Sequence, residues 1–456
     1  MYPKAGVAEV KYYRSMDKKE LGIIAAGILG SSAVMLGESV VNLALPHIGS
    51  AFNVPFSALQ WVVDGYNLTL ASLILLGGSL GDRFGLRRMF AISCLAFFVL
   101  SALCAVAWSA WALIVLRALL GVAGALLTPV SLALLNARLP QELRGRAIGY
   151  WTAATSIVLA LGPLVGGYFV DVFSWRAIFA ANVPLALAAL WLGLASLSKD
   201  EPKEASPTDW LGVVLGFIGL GGITFGLIEG PAQGWTPLTL CAIAIGVAAL
   251  VALAFWERHA KHPLIELALF KNSNFSATNA ATLFLYAGFA GFGFVLTVFL
   301  QTIGGYSAMA AGAAFLPASI ILALLSGRVG ALSTKWGPRL FMTAGPLLCA
   351  AGMLLMWNLV PHVPYISGVL PGVIVFSLGL ALVVAPLTAT ALDSAPEEKS
   401  GIASAINNGT ATAGPLIAVA LLGLWGPQHI YHYSLALCAG MAILAGAISF
   451  AFVRKS

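Results

Sequence analysis

The chain has 456 residues, 60% hydrophobic and 9% charged, with a mean hydropathy of +0.93 and a formal net charge of +6. A soluble domain carries about 25% charged residues, so this composition excludes a soluble fold and places the chain in a lipid bilayer. The positive balance therefore reflects membrane topology rather than a nucleic-acid surface. The five cysteines, Cys94, Cys104, Cys241, Cys349 and Cys438, stand singly in apolar runs as buried small hydrophobes, without metal or disulfide spacing.

Residues 1–20 are mixed and charged and show no small-residue cleavage site, so they read as an N-terminal segment rather than a removable signal. Apolar runs of roughly twenty residues, the length of a spanning helix, then recur along the chain. They are predicted at 21–45, 57–79, 89–108, 111–135, 147–170, 178–197, 211–229, 236–256, 276–301, 310–333, 340–358, 366–391, 402–424 and 433–453. The even number of spans, fourteen, puts both termini on one side.

All but three of the 24 Lys and Arg residues fall on that side: Lys4, Lys11, Arg14, Lys18 and Lys19, then Arg83, Arg87 and Arg88, then Arg138, Arg144 and Arg146. Lys199, Lys203, Arg258, Lys261, Lys271, Lys335, Arg339, Lys399, Arg454 and Lys455 complete the set, and Arg117, Arg176 and Arg328 are the exceptions. Basic residues mark the cytoplasmic side of a membrane protein, so both termini are expected in the cytoplasm.

The first span carries Glu38 and Asn42 on one face, with Pro46 at its outer end. In the second, Gln60, Asp64 and Asn67 recur at helical spacing and share a face. Lipid cannot satisfy such a stripe, so it must face protein or water. A charge at the centre of a spanning helix costs about 2.5–3.5 kcal/mol, which makes Asp64 a functional candidate. The span runs into Gly78-Ser79-Leu80-Gly81-Asp82-Arg83-Phe84-Gly85-Leu86-Arg87-Arg88, a turn dense in glycine and arginine. The fourth span holds Arg117, one helix face with Leu113, Gly121 and Gly124. A buried guanidinium there calls for a carboxylate or backbone carbonyls. The fifth span contains Gly162-Pro163-Leu164-Val165-Gly166-Gly167, which makes a bendable helix with a flat side.

Residues 198–210 form a charged linker, 211–256 a span pair, and 257–275 a second linker. Glu229, at the outer end of the seventh span, reads as interfacial. In the later spans Asn279, Tyr286, Asn407 and Asn408 supply uncharged polar groups. His47, His362, His429 and His432 fall on outer loops without ligand spacing.

The chain repeats itself. Gly78, Leu80, Arg83, Gly85 and Arg87 correspond to Gly330, Leu332, Lys335, Gly337 and Arg339, and Gly162-Pro163-Leu164 to Gly414-Pro415-Leu416, all at an offset of 252. Asp82 becomes Thr334 and Arg117 becomes Val369 in the second copy. Two independent landmarks at one offset imply a duplicated six-span unit, residues 21–197 and 276–456, with 211–256 inserted.

The 78–88 turn resembles the signature Gly-x-Leu-x-Asp-Arg-x-Gly-x-Arg-Arg of the major facilitator superfamily. The run Leu36-Gly37-Glu38-Ser39-Val40-Val41-Asn42-Leu43-Ala44-Leu45-Pro46 resembles the first-span motif of its fourteen-span drug:proton antiporters, Leu-Asp-x-Thr-Val-Val-Asn-Val-Ala-Leu-Pro. Aligned on Asn42 and Pro46, the family aspartate falls on Gly37, and the acid stands one position later. The runs around Arg117 and around 161–167 resemble the superfamily's fourth-span motif and its fifth-span antiporter motif.

The resemblance implies an all-α membrane protein of the major facilitator fold, with two six-helix halves, two inserted helices and about 14 transmembrane helices, rocking about a midplane site. It implies proton coupling through Asp64, Glu38 and Arg117, and a gate at Gly78, Asp82, Arg83, Gly85, Arg87 and Arg88. It further implies an antiporter hinge at Gly162, Pro163, Gly166 and Gly167, and a substrate cavity holding Gln60, Asn67, Asn42, Tyr286, Asn407 and Asn408.

No Walker loop, nucleophile elbow or zinc motif is present, so the chain reads as neither an enzyme nor an ATP user. Expected instead is a monomeric, multi-pass exporter of lipophilic cationic small molecules in a bacterial plasma (inner) membrane, driven by the proton gradient, with no cofactor and no nucleic-acid partner. An exporter or facilitator of a neutral metabolite or antibiotic is the alternative. A non-transporting sensor or lipid-moving protein is a second.

Reporter tags at Ser456 and within 198–210 should both report the cytoplasm. An outside signal from either contradicts the fourteen-span topology.

Overall fold

The computed structural model describes residues 16–198, 200, 208–261, 263–396, 399–425 and 430–454, apart from the side chains of Asp82 and Ser400. Lys4, Lys11, Arg14, Lys199, Lys203, His429, Lys455 and the Asp82 side chain lie outside the described residues.

Within them the regular structure is helical. The first half contains α1 (Lys18–Ser39), α2 (Val41–Phe52), α3 (Phe56–Phe84), α4 (Leu86–Ala105), α5 (Ala110–Arg138), α6 (Gln141–Val172) and α7 (Arg176–Ser196). The inserted pair is α8 (Trp210–Gln233) and α9 (Pro237–His259). The second half contains α10 (Ser273–Thr302), α11 (Ala308–Ala313), α12 (Leu316–Trp336), α13 (Pro338–Leu355), α14 (Leu370–Asp393), α15 (Ser400–Leu421) and α16 (Ile430–Phe452). Fourteen spans are long and apolar enough to cross a membrane, α11 and α12 together making one of them. We call the face carrying the 78–88 turn and residue 454 proximal, and the opposite face distal.

The helix boundaries follow the apolar runs to within a few residues, with one informative difference. The first predicted span, 21–45, is broken at Val40, where α1 ends and α2 begins. The break is seated on α6. A Cβ on Gly162 would stand 3.2 Å from Ser39 Oγ, and one on Gly166 only 2.7 Å from Val40 Cγ1. The two glycines are one turn apart, so they form a groove that accepts the joint. Cysteine burial also differs at one position: Cys241 on α9 is exposed, whereas the other four are buried. That helix packs on α8 and turns Leu238, Ile245, Val251 and Phe255 outward, a face suited to lipid.

The two halves pack by the same plan. α1 lies on α7 as α10 lies on α16, α3 on α5 as α12 on α14, and α4 on α7 as α13 on α16. They meet along seams where α3 packs on α15, where α6 packs on α11 and α12, and where α2 packs on α10. The inserted α8 covers the first seam, touching both α3 and α15. Close contact is concentrated at the distal end. A Cβ on Gly312 of α11 would stand 2.3 Å from the Pro163 carbonyl, and one on Gly167 2.5 Å from the Ala308 carbonyl. Towards the proximal face, Gly145 and Gly149 on α6, Gly327 on α12, and Gly401 and Gly409 on α15 have open space where a Cβ would stand. The backbone-close contacts between the halves thus lie at the distal end.

The 78–88 turn is held from within its own half. Gly85 sits at φ 92° and Gly337, its repeat equivalent, at φ 85°, a region that costs other residues about 1–2 kcal/mol. Asp200, read from sequence as linker, caps α4. Its carboxylate accepts from the backbone N–H of Arg87 (3.1 Å) and Arg88 (3.0 Å) and pairs with Arg138 at 2.5 Å. Arg87 also donates to the Leu194 carbonyl (3.1 Å), while Arg83 is exposed beside the Phe84 ring. In the second copy Arg339 lies over the Phe450 ring at 4.7 Å instead. A Cβ on Gly85 would meet the Asp200 carboxylate at 2.3 Å, whereas one on Gly78 would meet nothing. Gly85→Ala should therefore lower the melting temperature of the purified protein by several degrees and Gly78→Ala should leave it unchanged. Equal melting temperatures would contradict this account of the turn.

Candidate functional site

Three charged groups inside the membrane, Glu38, Asp64 and Arg117, lie on α1, α3 and α5 of the first half. Glycines allow α3 and α5 to approach. A Cβ on Gly121 would lie 2.3 Å from the Tyr66 carbonyl, and one on Gly65 3.3 Å from the Ile114 carbonyl. Thr69 Oγ1 donates across the contact to the Ala118 carbonyl (2.7 Å). Such contacts fix α3 against α5 through backbone and small side chains.

Arg117 is fully buried at this junction. Its Nε donates to the Val62 carbonyl of α3 (3.0 Å) and its Nη1 to the Gly37 carbonyl of α1 (2.8 Å). Its guanidinium carbon lies 4.3 Å from the centre of the Tyr66 ring, a cation–π contact that gains strength where water is excluded. Tyr66 in turn donates to the Val34 carbonyl (3.2 Å). Of the two kinds of partner expected for Arg117, the structure supplies carbonyls. Among the described residues it makes no ion pair, and its Nη2 is unanswered. Glu38, in the last turn of α1, is half-buried and close enough for its charge to be felt by Arg117.

Asp64 is fully buried, and neither of its oxygens has a well-formed hydrogen bond among the described residues; the Asn67 side chain is the donor that reaches towards it. Asn67, on the same side of α3, is also buried, with its Oδ1 unpartnered. One turn distal to Asp64, Gln60 Nε2 donates across the seam to the carbonyls of Val419 (2.6 Å) and Ala420 (3.3 Å) near the end of α15. Gln60 and Asp64 lie four residues apart, so Asp64 sits beneath a bond that joins the halves. An unanswered buried carboxylate has two remedies: a proton, or a donor brought to it by helix movement.

The other cavity candidates are dispersed. Asn42 is half-buried, with Oδ1 unpartnered. Asn407 is buried within the second half, donating to Asn279 Oδ1 (3.2 Å) and Thr282 Oγ1 (3.0 Å) on α10. Tyr286 is half-buried and Asn408 exposed. Gln60 and Asn407 are thus engaged in helix contacts.

Four polar residues, Tyr66, Asn182, Asp200 and Glu229, were assigned no functional role from the sequence. Tyr66 is the ring under Arg117. Asn182 on α7 is fully buried with both amide atoms unpartnered, facing the point where a side chain on Gly37 would emerge (3.3 Å). Asp200 is the cap described above. Glu229, expected at the interface, is buried instead and accepts from Trp61 Nε1 (2.7 Å) and Gln233 Nε2 (2.6 Å). It ties the inserted pair to the α3 turn that carries Gln60. The Trp61–Glu229 contact spans 168 residues, so no local pattern announces it.

A family model of the Major Facilitator Superfamily matches residues 27–414. Among curated relatives, the methylenomycin A resistance protein of Bacillus subtilis is 33% identical over 430 residues, covering 93% of this chain and 91% of that protein. The multidrug resistance protein Stp of Mycobacterium tuberculosis is 32% identical, covering 90% of this chain and 76% of that protein. The puromycin resistance protein of Streptomyces alboniger is 34% identical, covering 88% and 80%.

Solved structures share the fold at low identity. A peptide transporter POT in complex with alafosfalin superposes with a TM-score of 0.74 at 14% identity, covering 97% of this chain and 95% of that one. The inward-open xylose transporter XylE from E. coli gives 0.65 at 16%, covering 96% and 97%. A family match over most of the chain, relatives above 30% identity along most of its length, and a fold shared with solved transporters lead to one conclusion: this chain is a multi-pass membrane transporter of the Major Facilitator Superfamily.

Proposed function

We propose that the chain is a monomeric drug:proton antiporter that exports lipophilic cationic small molecules across a bacterial plasma membrane, with the proximal face in the cytoplasm. The observation that carries the reading is Asp64, a buried carboxylate without a well-formed hydrogen bond, one turn beneath the Gln60 bond that closes the distal seam. The names of the relatives, which refer to resistance against methylenomycin A, puromycin and multiple drugs, support the direction of transport.

In this reading the distal-closed state faces the cytoplasm. Asp64 without a proton, helped by Glu38, supplies negative charge that attracts a cation. Opening of the distal seam breaks the Gln60 bond and admits protons from outside. Protonation of Asp64 removes that attraction and releases the substrate. Return to the cytoplasmic side and loss of the proton reset the charge. Arg117 acts as the fixed counter-charge. Its unanswered Nη2 can take up either acid as the helices shift, while its bonds to Gly37 and Val62 hold α1 and α3 in register. The energy source is the proton gradient, and no cofactor is needed. Apart from Asp393 at the very end of α14, the described acids within the spans lie in the first half and in α8 and α9, whereas the second half offers Asn408 and Tyr286. This distribution keeps open a neutral metabolite or antibiotic as the alternative cargo.

Proteoliposomes with an imposed pH gradient and a panel of cationic and neutral compounds test the reading. Cations should accumulate against the direction of proton flow, and a protonophore should abolish this. Accumulation of neutral compounds alone would favour the alternative. Asp64→Asn keeps size and hydrogen bonding but cannot titrate. It should cut gradient-driven flux at least about tenfold, equivalent to about 1.4 kcal/mol. Glu38→Gln should cost less, and mainly for cations; the reverse ranking would place the coupling on the first span.

Arg117→Lys should fail differently. A lysine is a point charge without the guanidinium fork and cannot hold Gly37 and Val62 together, so the protein should lose thermal stability as well as flux. Undiminished stability would contradict the anchoring role.

A further inference from the structure

Asp171 lies near the distal end of α6 in the first half, yet its carboxylate is bonded to the second half. Its two oxygens accept from the backbone N–H of Ala308 (2.9 Å) and Met309 (2.8 Å), the first residues of α11. The backbone contacts at Gly167 and Gly312 lie behind it and bring α6 and α11 together. In front lies a cavity of about 350 Å³, lined in part by His47, Ser50, Gln301, Thr302 and Tyr306.

Three features separate this contact from an ordinary helix cap. It joins two halves that must part whenever the distal face opens. The start of α11 already has its own cap, because Ser307 Oγ accepts from the Ala310 N–H (3.2 Å). The carboxylate is exposed, so on release it returns to water rather than remaining as a stranded buried charge. Among the described residues, side-chain-to-backbone contacts then join the halves distally at Gln60, to α15 beneath α8, and at Asp171, to α11.

We propose that Asp171 is the releasable clasp of the distal gate. It holds α11 when the distal face is closed and lets go when that face opens. A charged group bonded to two amides strengthens the closed state more than a neutral one would, so Asp171 sets the balance between the two faces. The inference needs alternating access alone and is independent of proton coupling.

The test uses the full chain with exposed Cys241 replaced by serine, and spin labels at Trp108→Cys and Val360→Cys. These exposed distal positions lie one in each half. Electron–electron distance measurement reads the closed and open populations. Asp171→Asn replaces one acceptor by a donor that cannot bond the second amide. It should raise the open-to-closed ratio at least threefold. Ala308→Pro removes one amide donor at a helix position that accepts proline while sparing the carboxylate, and should shift the ratio in the same direction. An unaltered ratio in both Asp171→Asn and Ala308→Pro would overturn the proposal. So would loss of folding in Asp171→Asn, which would mark the contact as a structural cap.

Discussion

A charge inside a bilayer must be answered by the protein around it, and the first half is organised by how its charges are answered. Arg117 is held by two carbonyls from different helices and by the Tyr66 ring. It needs no carboxylate to stay buried, so the acids are left uncommitted. Glu38 stands near it without a bond, and Asp64 stands with no well-formed hydrogen bond. A structural network would close these valences. Here they stay open in the part of the bundle that a rocking motion rearranges.

The glycines and proline of α6 link that rearrangement to the seam. Gly162 and Gly166 face the α1–α2 joint, one residue beyond Glu38. Pro163 and Gly167 face α11 of the opposite half. One helix therefore touches the break that follows Glu38 on one side and the distal closure on the other, with backbone so close that even a Cβ would displace its neighbours. Such interfaces switch between discrete packings rather than deforming smoothly. The inserted pair contributes on the α3–α15 seam, where Glu229 grips Trp61 beside Gln60.

Much of this was legible in the sequence. The apolar runs place the fourteen spans, because a bilayer admits few alternatives. The offset between Gly85 and Gly337 marks two turns that share a positive φ. Asp64, Glu38 and Arg117 stand out because charges are rare in such segments. The remaining features depend on contacts between distant segments. The break at Val40 needs the groove on α6, and nothing local to residues 36–46 signals where the helix stops. Asp200 looks like one more charge in a linker until its contact with residues 87 and 88 is seen. Glu229 looks interfacial until Trp61, 168 residues earlier, is placed beside it. The hydrogen bonds of Asn407 likewise could not be foreseen, since its partners lie on α10.

The proposed mechanism turns on Asp64 exchanging a proton for substrate. The most direct measurement is proton release by the purified protein in weakly buffered solution when a lipophilic cation such as tetraphenylphosphonium is added, followed with a pH-sensitive dye. Release is expected from the wild type and from Glu38→Gln, and none from Asp64→Asn. Undiminished release by Asp64→Asn would contradict it.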